Sequence, residues 1–163
     1  MTYTKRSLEN EEACKVILQW WKDLEHRKAD RANLRRCHNL NEVIFTPSYH
    51  YLWHQLKGLG FRNKTAIALL AGILAHVKEN NTTSTFAGQM AKPKEGSKPT
   101  VSELRFRKVL TIDERNDLFI YLVRLIKLMN GSINICNLAN SVYWWNDITK
   151  KNWAFEYYEN LSN

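Results

Sequence analysis

Residues 64–78 read KTAIALLAGILAHVK, an apolar run of 13 residues from Thr65 to Val77 held between Lys64 and Lys78. Ile67, Leu69, Leu70, Ile73, Leu74 and Val77 wrap nearly the whole circumference of a helix at 3.6 residues per turn, and a helix apolar on all sides is one buried at the centre of a bundle. A membrane span needs about 20 such residues. The run is therefore expected to be a central core helix over 64–78, opened by Asn63 as N-cap.

Working outward, each flank repeats a one-sided helical stripe. Upstream, Thr46-Pro47 is a helix start with Thr as cap and Pro at the first helical position. Tyr49, Leu52, Trp53 and Leu56 follow on one face until Gly58 and Gly60. Ala13, Ile17, Trp20 and Leu24 recur at +4, +3, +4, predicting a helix from about Glu9 to Arg27, and Asp30 is placed to cap a short helix from Arg31 to Cys37. Downstream, residues 79–99 lose all periodicity and gather Asn, Thr, Gly, Pro and Lys, which predicts one long loop. Thr100-x-x-Glu103 and Thr111-x-x-Glu114 read as capping boxes. The first opens a helix with Leu104 and Val109, the second one with Leu118, Leu122, Leu125 and Met129 that Gly131 stops. Ile135, Leu138, Val142 and Trp145 form a further stripe, and a last helix over 147–161 carries Phe155, Tyr158 and Leu161. No segment alternates with period two for long enough to predict a strand. The reading is all-α: a compact helical protein of about seven or eight helices in two small bundles, with an N-terminal bundle at 1–84, a basic loop or junction at 85–99 and a C-terminal bundle at 100–163.

Composition agrees. Six Gly and three Pro in 163 residues leave little for tight β-turns, and 44% hydrophobic residues with six Trp suffice for a core. Met1 to Asn10 has no apolar stretch and does not read as a signal peptide. Cys14, Cys37 and Cys136 are odd in number and far apart, so free thiols in a reducing cytoplasm are expected rather than a disulfide framework.

Motifs that carry chemistry are few. His50 and His54 sit at i, i+4, a spacing that suits a metal, but HYLWH is rich in aromatics and lacks the glutamate of a zinc protease; packed or surface histidines are the better reading. Cys37-His38 has no partner at ligand spacing. There is no phosphate loop, no paired-carboxylate site and no nucleophile motif. No catalytic residue, metal or cofactor is expected.

Basic charge does stand out. Lys and Arg total 24 against 16 Asp and Glu, a net +8, which favours a polyanion as partner. One cluster lies between His26 and His38, where Arg31 and Arg35 share a helical face and Arg36 follows. A second, from Lys92 to Lys108, includes Arg105 and Lys108 at i, i+3, with Arg107 between them. Arginine forks suit phosphates. Without an RNA-binding or zinc-finger signature, phosphate contact without base readout is the expectation.

Several phrases together resemble the CasB family, the small subunit of the type I-E Cascade complex. They are Trp20; Asp30-Arg31-Ala32-x-Leu34-Arg35-Arg36; Ser102-Glu103-Leu104-Arg105-Phe106-Arg107; Leu138-Ala139; Tyr143-Trp144-Trp145; and Trp153-Ala154-x-x-Tyr157-Tyr158. The resemblance implies a non-catalytic, cytoplasmic protein, present as a pair with a second copy of itself in a crRNA-guided complex, beside the large subunit and the backbone subunit. It implies a basic surface that steadies the crRNA–target DNA heteroduplex and the displaced strand of the R-loop, sequence choice being left to guide pairing. Arg36 and Arg105 fall on the family's basic positions; Arg31, Arg35, Lys64, Arg107 and Lys108 are expected as neighbours on that surface. A stand-alone helical DNA- or RNA-binding regulator and a helical protein–protein scaffold are the alternatives.

Overall fold

The computed structural model describes residues 6–161, which form ten helices and two strands of two residues each. Helix α1 (Glu11–His26) is capped by Asn10 and buries Ala13, Ile17, Trp20, Trp21 and Leu24. Helix α2 (Lys28–Arg35) starts earlier than expected, with Asp30 inside its first turn rather than at its cap. Asn39 opens a one-turn helix, α3 (Leu40–Ile44), too short to show a period in the sequence. The Thr46-Pro47 start of α4 (Pro47–Gly58) is as read.

Helix α5 (Lys64–Leu74) is the central element, capped by Asn63 and buried at every position from Ala66 to Leu74. It ends three residues before the apolar run does, and four before the expected end at Lys78. Lys78 N donates to Gly131 O (2.8 Å), and the chain then pairs as β1 (Glu79–Asn80) in parallel with β2 (Ser132–Ile133). Two residues are too few to leave an alternation in sequence.

The long loop expected at 79–99 is corrected: Phe86–Ala91 is helix α6, capped by Thr85 and buried throughout. It packs on the last helix, with Phe86 against Trp153 (ring centroids 5.3 Å). Gln89 joins it to both strand ends, donating to Asn81 O (2.8 Å) and accepting from Asn134 N (2.9 Å). With only Phe86, Met90 and alanines as apolar matter, this helix has no polar face to make a stripe visible.

Helices α7 (Glu103–Leu110) and α8 (Arg115–Leu128) are capped by Ser102 and Glu114, not by Thr100 and Thr111. The threonine hydroxyls instead donate to Lys92 O and Lys108 O (both 2.7 Å). Good cappers stand near one another at both sites, and propensity alone does not choose between them. Helices α9 (Ile135–Tyr143) and α10 (Asp147–Leu161) complete the chain. The buried face of α10 is Thr149, Trp153 and Tyr157; Phe155 and Tyr158, read as core, are exposed.

The thiol expectation is also corrected. Packing of α1 on α9 brings Cys14 and Cys136 to a Cα separation of 5.6 Å across 122 residues, and they form a disulfide; Cys37 is free. One hydrophobic cluster runs from Leu8 through α5 to Tyr157, so helices on both sides of residues 85–99 share a core. No described helix is long and apolar enough to cross a membrane.

Candidate nucleic-acid interface

Helix α2 lies over the C-terminal end of α5. Arg31 donates through Nε to Ala75 O (3.3 Å) and through Nη2 to Val77 O (2.9 Å). Arg35 Nε donates to Ala75 O (2.8 Å), and Trp21 Nε1 to Val77 O (3.1 Å). The last carbonyls of a helix have no intrahelical partner and carry the negative end of its dipole. Arg35 and Arg31 thus both hold the C-cap carbonyl of the central helix, and Arg31 also holds the chain just beyond it. A guanidinium has five N–H donors, so both retain donors beyond these bonds. Burial and the positive charge of Arg35 lower the Arg31 pKa, while Glu25 opposes them. Arg36 is exposed and bonds Asn33 Oδ1.

The ring of His76 marks where this cluster meets α8. Its pKa is pushed down to about 4, by burial first and then by Lys127, Arg35 and Arg31. Lys127 belongs to α8, where Tyr121, Arg124 and Lys127 follow at i, i+3, i+6 along one stripe about 9 Å long. At the other end of the stripe, Tyr121 Oη donates to Arg105 O (3.0 Å). Burial raises the Tyr121 pKa, and the nearby charges of Arg105 and Arg124 pull it back. Arg31, Arg35, Lys127, Arg124 and Arg105 therefore succeed one another across α2, α8 and α7, with exposed Arg36 at the α2 end. Among the described residues none of them has a carboxylate at ion-pair distance; Lys150 and Asp113 do form such a pair.

The remaining expected residues stand apart from this band in different degrees. Arg107 lies near Tyr158, whose hydroxyl donates to Glu103 (3.0 Å). Lys108 lines a recess beside the band, with Tyr121 and Arg124 on one side and Asp113, Glu114 and Asp117 on the other. Lys64 opens α5, a helix length of about 16 Å from the Arg31–Arg35 end, and its ammonium sits over Trp53 (5.7 Å to the ring centroid). Arg124 and Lys127 were not anticipated. Their signal was present as a basic i, i+3 pair on the helix face opposite Leu118, Leu122 and Leu125, but only the fold shows that this pair joins the two clusters. Among the described residues no three His, Cys, Asp or Glu side chains gather as a metal site. His50 is exposed and bonds Ile44 O (2.8 Å).

Solved structures share this fold. A chain in the crystal structure of E. coli Cascade bound to a PAM-containing dsDNA target superposes with a TM-score of 0.70 at 15% identity, over 91% of this chain and 95% of that one. CasB from Thermus thermophilus superposes with a TM-score of 0.67 at 22% identity, over 89% and 97%. No curated protein matches by sequence. The family model for CRISPR-associated protein Cse2 matches residues 30–158, which run from the first turn of α2 to the last turn of α10 and take in every element of the basic band. The chain belongs to the CRISPR-associated protein Cse2 family.

Proposed function

We propose that the chain is a non-catalytic subunit of a type I-E, crRNA-guided DNA surveillance complex in the cytoplasm, where its basic band holds nucleic-acid phosphates and so stabilises the guide–target heteroduplex and the displaced strand. What supports this reading is that two clusters about 70 residues apart in sequence both border α8: Arg105 is bonded by Tyr121 of that helix, and Arg31, Arg35 and Lys127 all bear on His76. Membership of the Cse2 family and the likeness to a chain of DNA-bound Cascade support it. Phosphate binding without base readout fits a surface of arginine and lysine. Exposed Leu104, Ile148 and Phe155, each more than two-thirds accessible, favour contacts with neighbouring subunits, including the large subunit, the backbone subunit and a second copy.

The test is a reconstituted complex carrying Arg36→Glu or Arg105→Glu. Both side chains are exposed, so assembly and guide loading are expected to survive. Reversal replaces an attraction at a phosphate with a repulsion. A hydrogen bond to a charged group contributes about 1.5–3 kcal/mol, so target DNA should be held at least about tenfold more weakly. Each lost phosphate contact should also reduce the slope of log affinity on log salt by about 0.7–0.9. Variant complexes that hold target as tightly as the wild type would make the chain a protein scaffold instead.

A further inference from the structure

The corner between α4 and α5 carries an aromatic side chain that packs against the core on one side and is covered only in part. Trp53 is only partly buried. Lys57 Nζ, one turn further along α4, lies 6.0 Å from its ring centroid, and Lys64 Nζ lies 5.7 Å from it. Both lysines are exposed, and neither has a carboxylate at ion-pair distance among the described residues. The corner is held from beneath: Tyr49 Oη donates to Lys64 O (2.9 Å), and Tyr143 Oη accepts from Asn63 N (3.1 Å). Exposed Arg62 stands beside them. The result is a core-anchored indole with two ammonium groups near its ring, at the end of α5 away from the basic band.

A lysine over a partly exposed indole gains little in water, so the two ammonium contacts do not account for the part of Trp53 that core packing leaves uncovered. The same set of groups matches the two requirements of single-strand binding, an aromatic face on which a base stacks and cations that follow the backbone. We propose that Trp53 is a stacking platform for an unpaired base of single-stranded nucleic acid, with Lys57 and Lys64 swinging from the ring to the flanking phosphates. This rests on the nucleic-acid reading above and adds to it a second site, chemically distinct from the phosphate-binding band. Paired bases keep their faces covered by their neighbours in the stack, so the platform selects single strand over duplex.

The experiment measures anisotropy of labelled oligodeoxythymidine, of the same backbone without bases, and of a duplex, on the full chain. Wild type is expected to prefer oligodeoxythymidine over the abasic strand by about tenfold, a usual gain from one stacked base. Trp53→Ala should abolish that preference and leave duplex binding unchanged, while Trp53→Phe keeps most of it. Should Trp53→Ala fail to fold, Lys57→Gln combined with Lys64→Gln, two surface changes, should weaken oligodeoxythymidine more than duplex. An unchanged preference in Trp53→Ala overturns the platform, and so does an equal loss on all three ligands. If Arg105→Glu still weakens duplex binding in either case, the basic band stands without the platform. Absence of binding to every ligand by the wild type overturns both.

Discussion

Arg35 and Arg36 are adjacent in sequence and hold different things. Both are exposed, but Arg35 bonds the carbonyl of Ala75 at the end of α5, whereas Arg36 reaches only along its own helix to Asn33. Arg35→Ala is therefore expected to destabilise the chain by about 1–2 kcal/mol, through a lost charge-assisted bond and a lost dipole partner. Arg36→Ala should stay within about 0.5 kcal/mol of wild type. Urea denaturation of the two variants checks the contrast. His76, beneath this pair, gives a pH signature. Its folded pKa is near 4, below the ordinary 6.5, because burial and the charges of Lys127, Arg35 and Arg31 disfavour the imidazolium. Below pH 6.5 the unfolded chain takes up a proton that the folded chain refuses, so stability present above that pH is lost as pH falls towards 4. Thermal melts across this window should fall for wild type and flatten for His76→Gln.

At the scale of elements, the crossing of α5 and α8 depends on a glycine. A Cβ on Gly72 would come within 2.4 Å of the Phe119 ring, which is itself buried at 2% exposure. Gly72→Ala is expected to destabilise by about 1–3 kcal/mol through overpacking, despite the better helix propensity of alanine. Gly58, the last residue of α4, has open space where its Cβ would stand. There the propensity gain is unopposed, and Gly58→Ala should stabilise by up to about 1 kcal/mol. Opposite shifts of the urea midpoint at two helical glycines distinguish packing from propensity. The face of α10 follows the same logic: Tyr157 is seated by a stack on Phe106 (centroids 3.9 Å) and by its bond to Val101 O (2.7 Å). Tyr158, one position on, points outward.

Over the whole molecule, the disulfide between Cys14 and Cys136 ties α1 to α9 across a sequence separation of 122 in a chain of 163 residues. Cross-links over long loops constrain the unfolded state most, and removal of a native bridge typically costs about 2–5 kcal/mol. Addition of dithiothreitol should accordingly lower the melting temperature of the wild type and leave Cys14→Ser unaffected. Equal melting of the wild type in oxidising and reducing buffer would show that the bridge contributes nothing to stability. Because α1 and α9 sit on opposite sides of the chain's midpoint but in one core, this bridge also bears on how firmly the two halves hold the basic band together.

The all-helical class, a central helix opening at Lys64 and the caps at Thr46 and Asn63 were determined by the sequence alone, because apolar period and capping chemistry are local properties that a dozen residues display; the end of that helix at Leu74 rather than Lys78 was not. The positions of the basic clusters were legible for the same reason. Only the tertiary structure decided what each cation does. It put Arg31 and Arg35 on the carbonyls of α5, set Lys64 beside Trp53, and made Arg124 and Lys127 the link to Arg105. It likewise revealed helix α6, whose burial on all sides leaves no stripe, and the Cys14–Cys136 bridge across 122 residues. Charge at a position is written in the residue, but the neighbour it meets is set by chain crossings far apart in sequence, and no local pattern records them.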